Sequence, residues 1–556
     1  MNTIKKYILT ATGAVALLLS SCTDKFVEYN TDIRTIYEVE PERFLYNVQA
    51  NTSANGWEWY YDYYFANMRW LQYGCRPLGN TVTTFTYGNS NIWRQRYDNC
   101  FLNTGSYMRH MEYLASQLPN ADAYTHAVEA ARVTLIYQSI FTSDVQGSLA
   151  YTQGWSLRSG GDIEDPAFET QETLYGIWDN ELKAAINKFN TATNQVSIKN
   201  YDMAFGGDIS QWVKTANALR LRLALRWMKR DMNKAKSIAA EVLGSSNIPS
   251  STDDSFVIWL SGVETNHSDF ESIKDLIRGT VTFMGYLKKY NDPRKRMFFR
   301  ENNLTPENVA KWNAANPNDR LSEYGRYEAG TSNYDAMTKP EWVKMHKDRM
   351  MDGVNMTPLN FPQTRMFSGY YDGGSGGTWW PKLTYADFCF MAAEFVLNGV
   401  ASSKSAEQWY TEGVRSSLEL WNKAGDYCKI HNYVPMTDDE INTFMAQEGI
   451  KWNASIGKEQ IYAQTYVEHF KNVNEAHALY RRVGYPNPIS PVIANEACTA
   501  NGVLQAVPRR FSFTPPIPGT SNYANNKERL DKMAEDPDFG NITDAFGRIW
   551  WDKKID

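Results

Sequence analysis

The chain has 556 residues and a formal charge of −6, from 57 basic and 63 acidic side chains. Hydrophobic residues make up 43% and charged residues 22%, a balance that excludes general disorder, collagen-like repeats and a multi-span membrane protein. Without a basic excess there is no nucleic-acid surface to expect. The aromatic share of 14% is dominated by Tyr and Trp, whose rings carry a polar handle and suit ligand faces and wet interfaces as well as cores.

Lys5 and Lys6 precede an apolar run, Tyr7 to Leu19, that falls short of the roughly 20 residues a membrane span needs. A basic start, a short apolar stretch and small residues at its end read as a secretory signal. Leu19-Ser20-Ser21-Cys22 resembles the bacterial lipobox. That resemblance implies cleavage before Cys22, a diacylglyceryl group on its sulfur and a fatty acyl chain, such as palmitate, on its new amine. Several acyl chains exceed what stable anchoring requires, at ~0.8 kcal/mol per buried CH₂. Residues 1–21 are therefore expected to be a signal peptide and 22–556 a single domain, with 23–35 a polar leader.

Beyond the leader, 81–87 (TVTTFTY) alternates like a strand, and helical periodicity dominates the rest. In 174–190, Leu174, Ile177, Trp178, Leu182, Ala185, Ile186 and Phe189 form one stripe. In 211–230, Trp212, Ala216, Leu219, Leu223 and Trp227 form another. Stretches 122–141 and 385–399 predict buried helices, and 404–422 and 458–475 amphipathic ones. Residues 303–382 and 484–526 are irregular, Pro-bearing segments of a length that is usually functional. The expected class is mostly α, one domain with elaborated loops.

The cysteines after Cys22 are Cys75, Cys100, Cys389, Cys428 and Cys498, an odd number without metal-binding spacing. Buried thiols are the simple reading, with a Cys75–Cys100 disulfide as the alternative. There is no HExxH, Walker, GxSxG or EF-hand pattern, and spacing singles out no pair among the plentiful acidic residues, so no catalytic residue, metal or cofactor is assigned. His469 and His477 lie two turns apart on one predicted helix, a weak metal signal. Arg222 and Arg226, one turn apart, fit either an anion clamp or an ion-paired helix face. Asp208 is placed to cap the helix that follows it.

An ordered series of segments resembles the SusD/RagB family of outer-membrane lipoproteins. After the lipobox come YNTD (29–32), NIWRQRYDNCFLN (91–103) and TSDVQGSLAYTQ (142–153). The most specific piece is YDMAFGGDISQWVKTANALRLRLALRW (201–227). NDPR (291–294), LTYADFCFMAAEFVLNG (383–399), EQIYAQTYVEHFKNVNEAHALYRRVGYP (459–486) and VPRRFSFTP (507–515) complete it. Ser148, Ala150 and Asp387 depart from the usual family residues. Arg220, Arg222 and Arg226 lie within an apolar stripe and are expected to pair with buried acids. Arg481, Arg482, Arg509 and Arg510 are expected to pin loops.

The resemblance implies a SusD-like fold of tetratricopeptide-like helix pairs with a loop-rich second half. It also implies a surface lipoprotein on the outer membrane that captures a nutrient and passes it to a SusC-like TonB-dependent transporter. Oligosaccharide, glycopeptide and peptide all fit. A glycan-degrading enzyme, or a transporter lid that binds no nutrient, are the competing functions. Sugar rings pack flat faces on Trp and Tyr, so a ligand site is expected where aromatics gather on exposed loops with polar neighbours. Two stretches fit. In 57–73 the residues are Trp57, Trp59, Tyr63 and Trp70; in 370–380 they are Tyr370, Tyr371, Trp379 and Trp380 beside a Gly-rich tip.

Overall fold

The computed structural model describes residues 39–555 except 53–57, 76–93, 262–272, 274–276, 370–373, 375–376 and 511. Its body is a stack of helices in which sequence neighbours pack on one another. They are α1 (Phe44–Ala50), α2 (Gly105–Ser116), α3 (Thr125–Gln146), α4 (Gln171–Thr191), α5 (Ile209–Trp227), α6 (Met232–Leu243), α7 (Tyr385–Leu397), α8 (Ala406–Tyr427), α9 (Asp438–Met445), α10 (Gly457–Glu468) and α11 (Val473–Val483). Consecutive pairs α3–α4, α4–α5, α5–α6 and α7–α8 carry much of the packing, and one continuous core runs from Leu45 to Trp551. The strands are short, and each sheet among the described residues is a two-stranded ribbon. No helix of the described residues is long and apolar enough to cross a membrane.

The helices start where local chemistry dictates. Thr170 caps α4 and the Asp208 carboxylate caps α5 by accepting from the Ser210 N–H at 3.0 Å. Reciprocal capping boxes open α7 (Thr384, Asp387), α8 (Ser405, Gln408) and α9 (Thr437, Glu440). Each satisfies two otherwise orphaned N–H groups.

α5 is enclosed on all sides from Trp212 to Trp227, with Lys214 its one partly exposed residue there, so its three arginines must find acids inside the protein. Arg220 bonds Asp179 of α4 at 2.7 Å and Glu241 of α6 at 2.5 Å. Arg222 reaches Asp387 at the start of α7 at 3.3 Å. Arg226 bonds both carboxylate oxygens of Asp144 at 3.2 and 2.8 Å and Glu475 of α11 at 3.0 Å. The expected ion pairing is thus observed, and neither Arg222 nor Arg226 is left to clamp an anion. The loop-pinning arginines behave likewise: Arg481 donates to the carbonyls of Asp144 and Arg509, and Arg510 to those of Phe539, Ile542 and Asn541.

Two expectations change, and the reading of the cysteines as buried thiols holds. The 458–475 helix is two helices: after Glu468 the chain makes one tight turn through Lys471, and Asn472, at φ −129 and ψ 55, leaves helical space before α11 begins. His469 and His477 therefore sit on different elements. His469 Nε2 contacts the Asp387 carboxylate at 2.7 Å, and His477 contacts the Pro508 carbonyl at 2.8 Å. Cys75 and Cys100 are separate, buried free thiols, as are Cys389, Cys428 and Cys498. Segment 303–382 is less irregular than expected: it holds helices Pro306–Ala315 and Pro340–His346 and a satellite core of Leu304, Trp312, Leu321 and Met356. The strand expected at 81–87 and the lipidation site Cys22 lie outside the described residues.

Truncating Asp144 leaves the Arg226 guanidinium buried without its bidentate partner. Asp144→Ala is expected to lower the unfolding free energy by ~3–5 kcal/mol. Denaturant titration checks this; a loss below ~1 kcal/mol would mean that the ion cluster does not organise the helices.

Candidate functional site

Two strands form the aromatic centre of the second half. β1 (Phe256–Leu260) and β2 (Thr378–Leu383) pair antiparallel, with Trp259 opposite Trp379 and Ile258 opposite Trp380. Residues directly opposite share a face of such a ribbon. Pro381 cannot donate to the ladder, and it sits opposite Val257 beside the register shift at Phe256/Val257, where a bulge tolerates it.

On one face the Trp259 and Trp379 rings stack at 5.7 Å and 23°. Trp421 of α8 meets Trp379 edge-on at 4.8 Å. Tyr427, at the end of α8, closes on Trp259 at 4.8 Å and donates its hydroxyl to the Leu260 carbonyl at 3.0 Å. Trp379 is fully buried in this sandwich, whereas Trp259 keeps part of its ring in solvent, with Lys423 Nζ 5.7 Å from its centroid. A half-exposed Trp held by a second Trp and a Tyr, with an ammonium and the Asp253 carboxylate nearby (3.2 Å from Lys423), offers a flat apolar platform with polar neighbours.

On the opposite face Trp380 lies beneath two buried lysines, Lys471 at 4.5 Å and Lys382 at 5.4 Å from its ring centre. Lys471 Nζ donates to the carbonyls of Met366 and Trp379; Lys382 Nζ donates to the carbonyl of Thr52. Burial pushes each ammonium down to about 7, against the partial support of Glu58 in the case of Lys382. Glu58 is itself pushed up to about 7 by burial and by the neighbouring Asp62 charge. Asp62 is held by the Arg96 guanidinium, which also bonds Asn474 at 2.6 Å.

The aromatic residues expected at the ligand face divide into two sets. Trp57, Tyr370 and Tyr371, and the side chain of Trp59, lie outside the described residues. Tyr63, Trp70, Trp379 and Trp380 are packed inside. Residues Trp59–Asn67 form a wide-turn helix with i→i+5 geometry whose described side chains from Asp62 onward are enclosed, so its aromatics are not confined to a single stripe with an exposed remainder. Trp70 packs against His477 with ring centres 5.9 Å apart. An exposed aromatic face is therefore not made by these four; the partly exposed ring of the ribbon is Trp259. Sequence reading missed it because FVIWL is a short apolar run whose exposed side is fixed only by pairing with β2. Among the described residues no group of three or more His, Cys, Asp or Glu is placed to hold a metal ion.

A family model described as "Starch-binding associating with outer membrane", SusD-like, matches residues 33–514. Among solved structures, the fold is similar to a chitin-binding protein at TM-score 0.68 and 18% identity, over 92% of this chain and 100% of that one. It is also similar to a chitin-binding SusD homologue from Flavobacterium johnsoniae, at TM-score 0.64 and 19% identity, over 92% and 98% of the two chains. A SusD homologue from Bacteroides fragilis matches at TM-score 0.65 and 18% identity, over 93% and 100%. No curated protein matches the sequence.

The buried lysines set a pH dependence. A lysine lowered from 10.5 to about 7 binds fewer protons in the folded than in the unfolded chain between those values. Its buried charge costs the fold most below about pH 7, and stability recovers as pH rises through that window. Compared with Lys471→Met, the wild-type chain is expected to gain stability between pH 7 and 10 by up to about 1.4 kcal/mol per pH unit. Urea unfolding of both proteins at pH 7 and pH 9 measures this; a difference that does not move with pH refutes it.

Proposed function

Because the chain belongs to the SusD-like family, described as starch-binding and associating with the outer membrane, we propose that it is a lipid-anchored surface protein that captures a glycan and hands it to a TonB-dependent outer-membrane transporter. Residues 1–21 are the signal peptide, Cys22 carries the lipid, and 22–556 form one binding domain. The observation that carries this reading is the family match across residues 33–514, joined to structural likeness over the full length of two chitin-binding proteins. The ligand is an oligosaccharide, and the protein breaks no bond in it.

The half-exposed Trp259 supports the placement of the glycan. A sugar ring packs against the part of the Trp259 ring left in solvent, and Lys423 and Asp253 supply hydrogen bonds at the edge. The strand ends Leu260 and Thr378, paired next to it, lead into 262–272 and back from 370–376. Tyr370 and Tyr371 are thus joined through a few residues to the end of the ribbon that carries Trp259. We place them, with Trp57 and Trp59, among the ligand contacts. Trp379 backs the Trp259 ring, and Tyr63, Trp70 and Trp380 are packed inside.

Trp259→Ala is expected to weaken binding of maltoheptaose or chitohexaose by ten-fold or more while the melting temperature changes little. Calorimetric titration reads the affinity, and a reducing-end assay on the same mixtures is expected to stay flat. Normal affinity in the variant moves the site elsewhere, and steady product release makes the protein an enzyme. Cys22→Ala is expected to shift the protein from the membrane to the soluble fraction, since the lipid is its hydrophobic anchor; a variant that stays with the membrane and leaves it only in detergent refutes lipidation as the anchor.

A further inference from the structure

Two surface grooves of about 400 Å³ each flank the short helix α9. In one, Arg296 and Glu440 of the rim are bonded to each other at 2.9 Å. The other, between α8 and α9, holds no such pair among the described residues and is built differently.

Its floor is aromatic. Tyr410 is buried on α8, fixed by its hydroxyl donating to the Ile450 carbonyl at 2.7 Å. The Trp452 ring leans on it at 5.2 Å and 48° and is half-exposed. Gly457 borders the six-membered end of that indole: a Cβ there would meet the ring at 2.5 Å, so the glycine lets Trp452 approach the start of α10. The rim is polar. Glu407 and Lys451 are exposed on the rim, and neither is in an ion pair among the described residues. Asn442 accepts from Arg415 at 2.8 Å, which leaves its amide NH₂ as a donor.

We infer that this groove is a second saccharide-binding site, distinct from the Trp259 platform, that takes a neutral oligosaccharide with one ring stacked on Trp452. The chemistry selects that class. A flat, half-exposed indole needs an apolar face of matching size. The rim offers one acceptor carboxylate and two donors, the arrangement that vicinal hydroxyls require. Glu407 and Lys451 carry opposite charges, so no net field favours an anion or a cation. The volume lies in the range of small-ligand clefts, ~300–1,000 Å³.

The two sites are independent. Tyr410 and Tyr427 stand on the same helix 17 positions apart, about 25 Å at 1.5 Å per residue. Glu407, Tyr410, Thr411 and Val414 share one face of α8, and Lys423 and Tyr427 lie on the opposite one. A ligand on one platform does not touch the other.

The inference rests on the glycan-binding reading above, and the test separates the two. Calorimetric titration of the mature chain with maltoheptaose and with chitohexaose is expected to give two sites per chain for at least one of them. Trp452→Ala is expected to leave one site, of unchanged affinity. Trp259→Ala is expected to leave the other, and the double variant neither. Because Trp452 also packs on Tyr410, a second variant, Asn442→Ala with Lys451→Ala, removes only rim groups and is expected to weaken one of the two sites about ten-fold at unchanged melting temperature. If Trp452→Ala and the rim variant both bind with wild-type stoichiometry and affinity, the second site is refuted while the glycan-binding reading stands. If the wild-type chain binds neither oligosaccharide, the reading and the second site fall together for these glycans.

Discussion

Everything in this fold is arranged around charges that have been taken out of water. Arg222 and Arg226 project from a helix with no solvent face, and their acids come from α3, α7 and α11. A buried ion pair repays its desolvation only when the geometry is close to ideal and the remaining donors and acceptors are filled. That condition restricts where four helices can lie. Burial alone would raise Asp387 and Glu475, yet His469, Arg222 and Arg226 hold both below the usual carboxylate range, Glu475 at about 2. The attraction in the cluster thus outweighs the desolvation of its acids.

The same cluster reaches the aromatic ribbon. Arg222 donates to the Lys382 carbonyl at 3.0 Å, and Asn472, the residue that breaks the chain between α10 and α11, donates to that carbonyl at 3.2 Å. Lys382 closes on Thr52 from the end of β2, and Lys471, next to Asn472, binds the Trp379 carbonyl near its start. Both ends of β2 are therefore fixed by groups from the ion cluster or beside it. The chain breaks at Asn472, where its side chain and that of Lys471 bond carbonyls of β2, three residues before Glu475 meets Arg226. Trp259 inherits its orientation from β2 through the ladder and from Trp379 through the stack.

Most of the helices were legible in the sequence because apolar spacing and capping residues act locally. The 174–190 stripe became Gln171–Thr191, and Asp208 caps where it stands. The arginines were legible as partners of buried acids because a guanidinium group in an apolar stripe needs a charged or polar partner inside the protein. Pairings between distant segments were not legible. Nothing local says that 458–475 must bend, since the reason is a carbonyl ninety positions away at Lys382. Nothing local says which of Trp259 and Trp379 faces solvent, since opposite residues of a ribbon share a face and α8 decides which is covered. Tyr63 and Trp70, expected at a ligand face, are buried because the described part of the helix is enclosed on more than one side.

This division also explains why fold and ligand separate in such a chain. The segments that resemble a family contribute Asp144, Arg222, Arg226, Asp387, His469 and Glu475, which face one another inside. They specify helix positions from inside the protein. Relatives of known structure keep the architecture at 18–19% identity, which is what a fold set by a few buried charges and an apolar pattern allows. Trp259 and Trp452 belong to no such segment. Each is half-exposed, each is held by a tyrosine from α8, and each could change its polar neighbours without disturbing a buried charge. On the proposed reading, selectivity for one glycan over another is free to vary at these two positions because neither belongs to the ion cluster that fixes the helices.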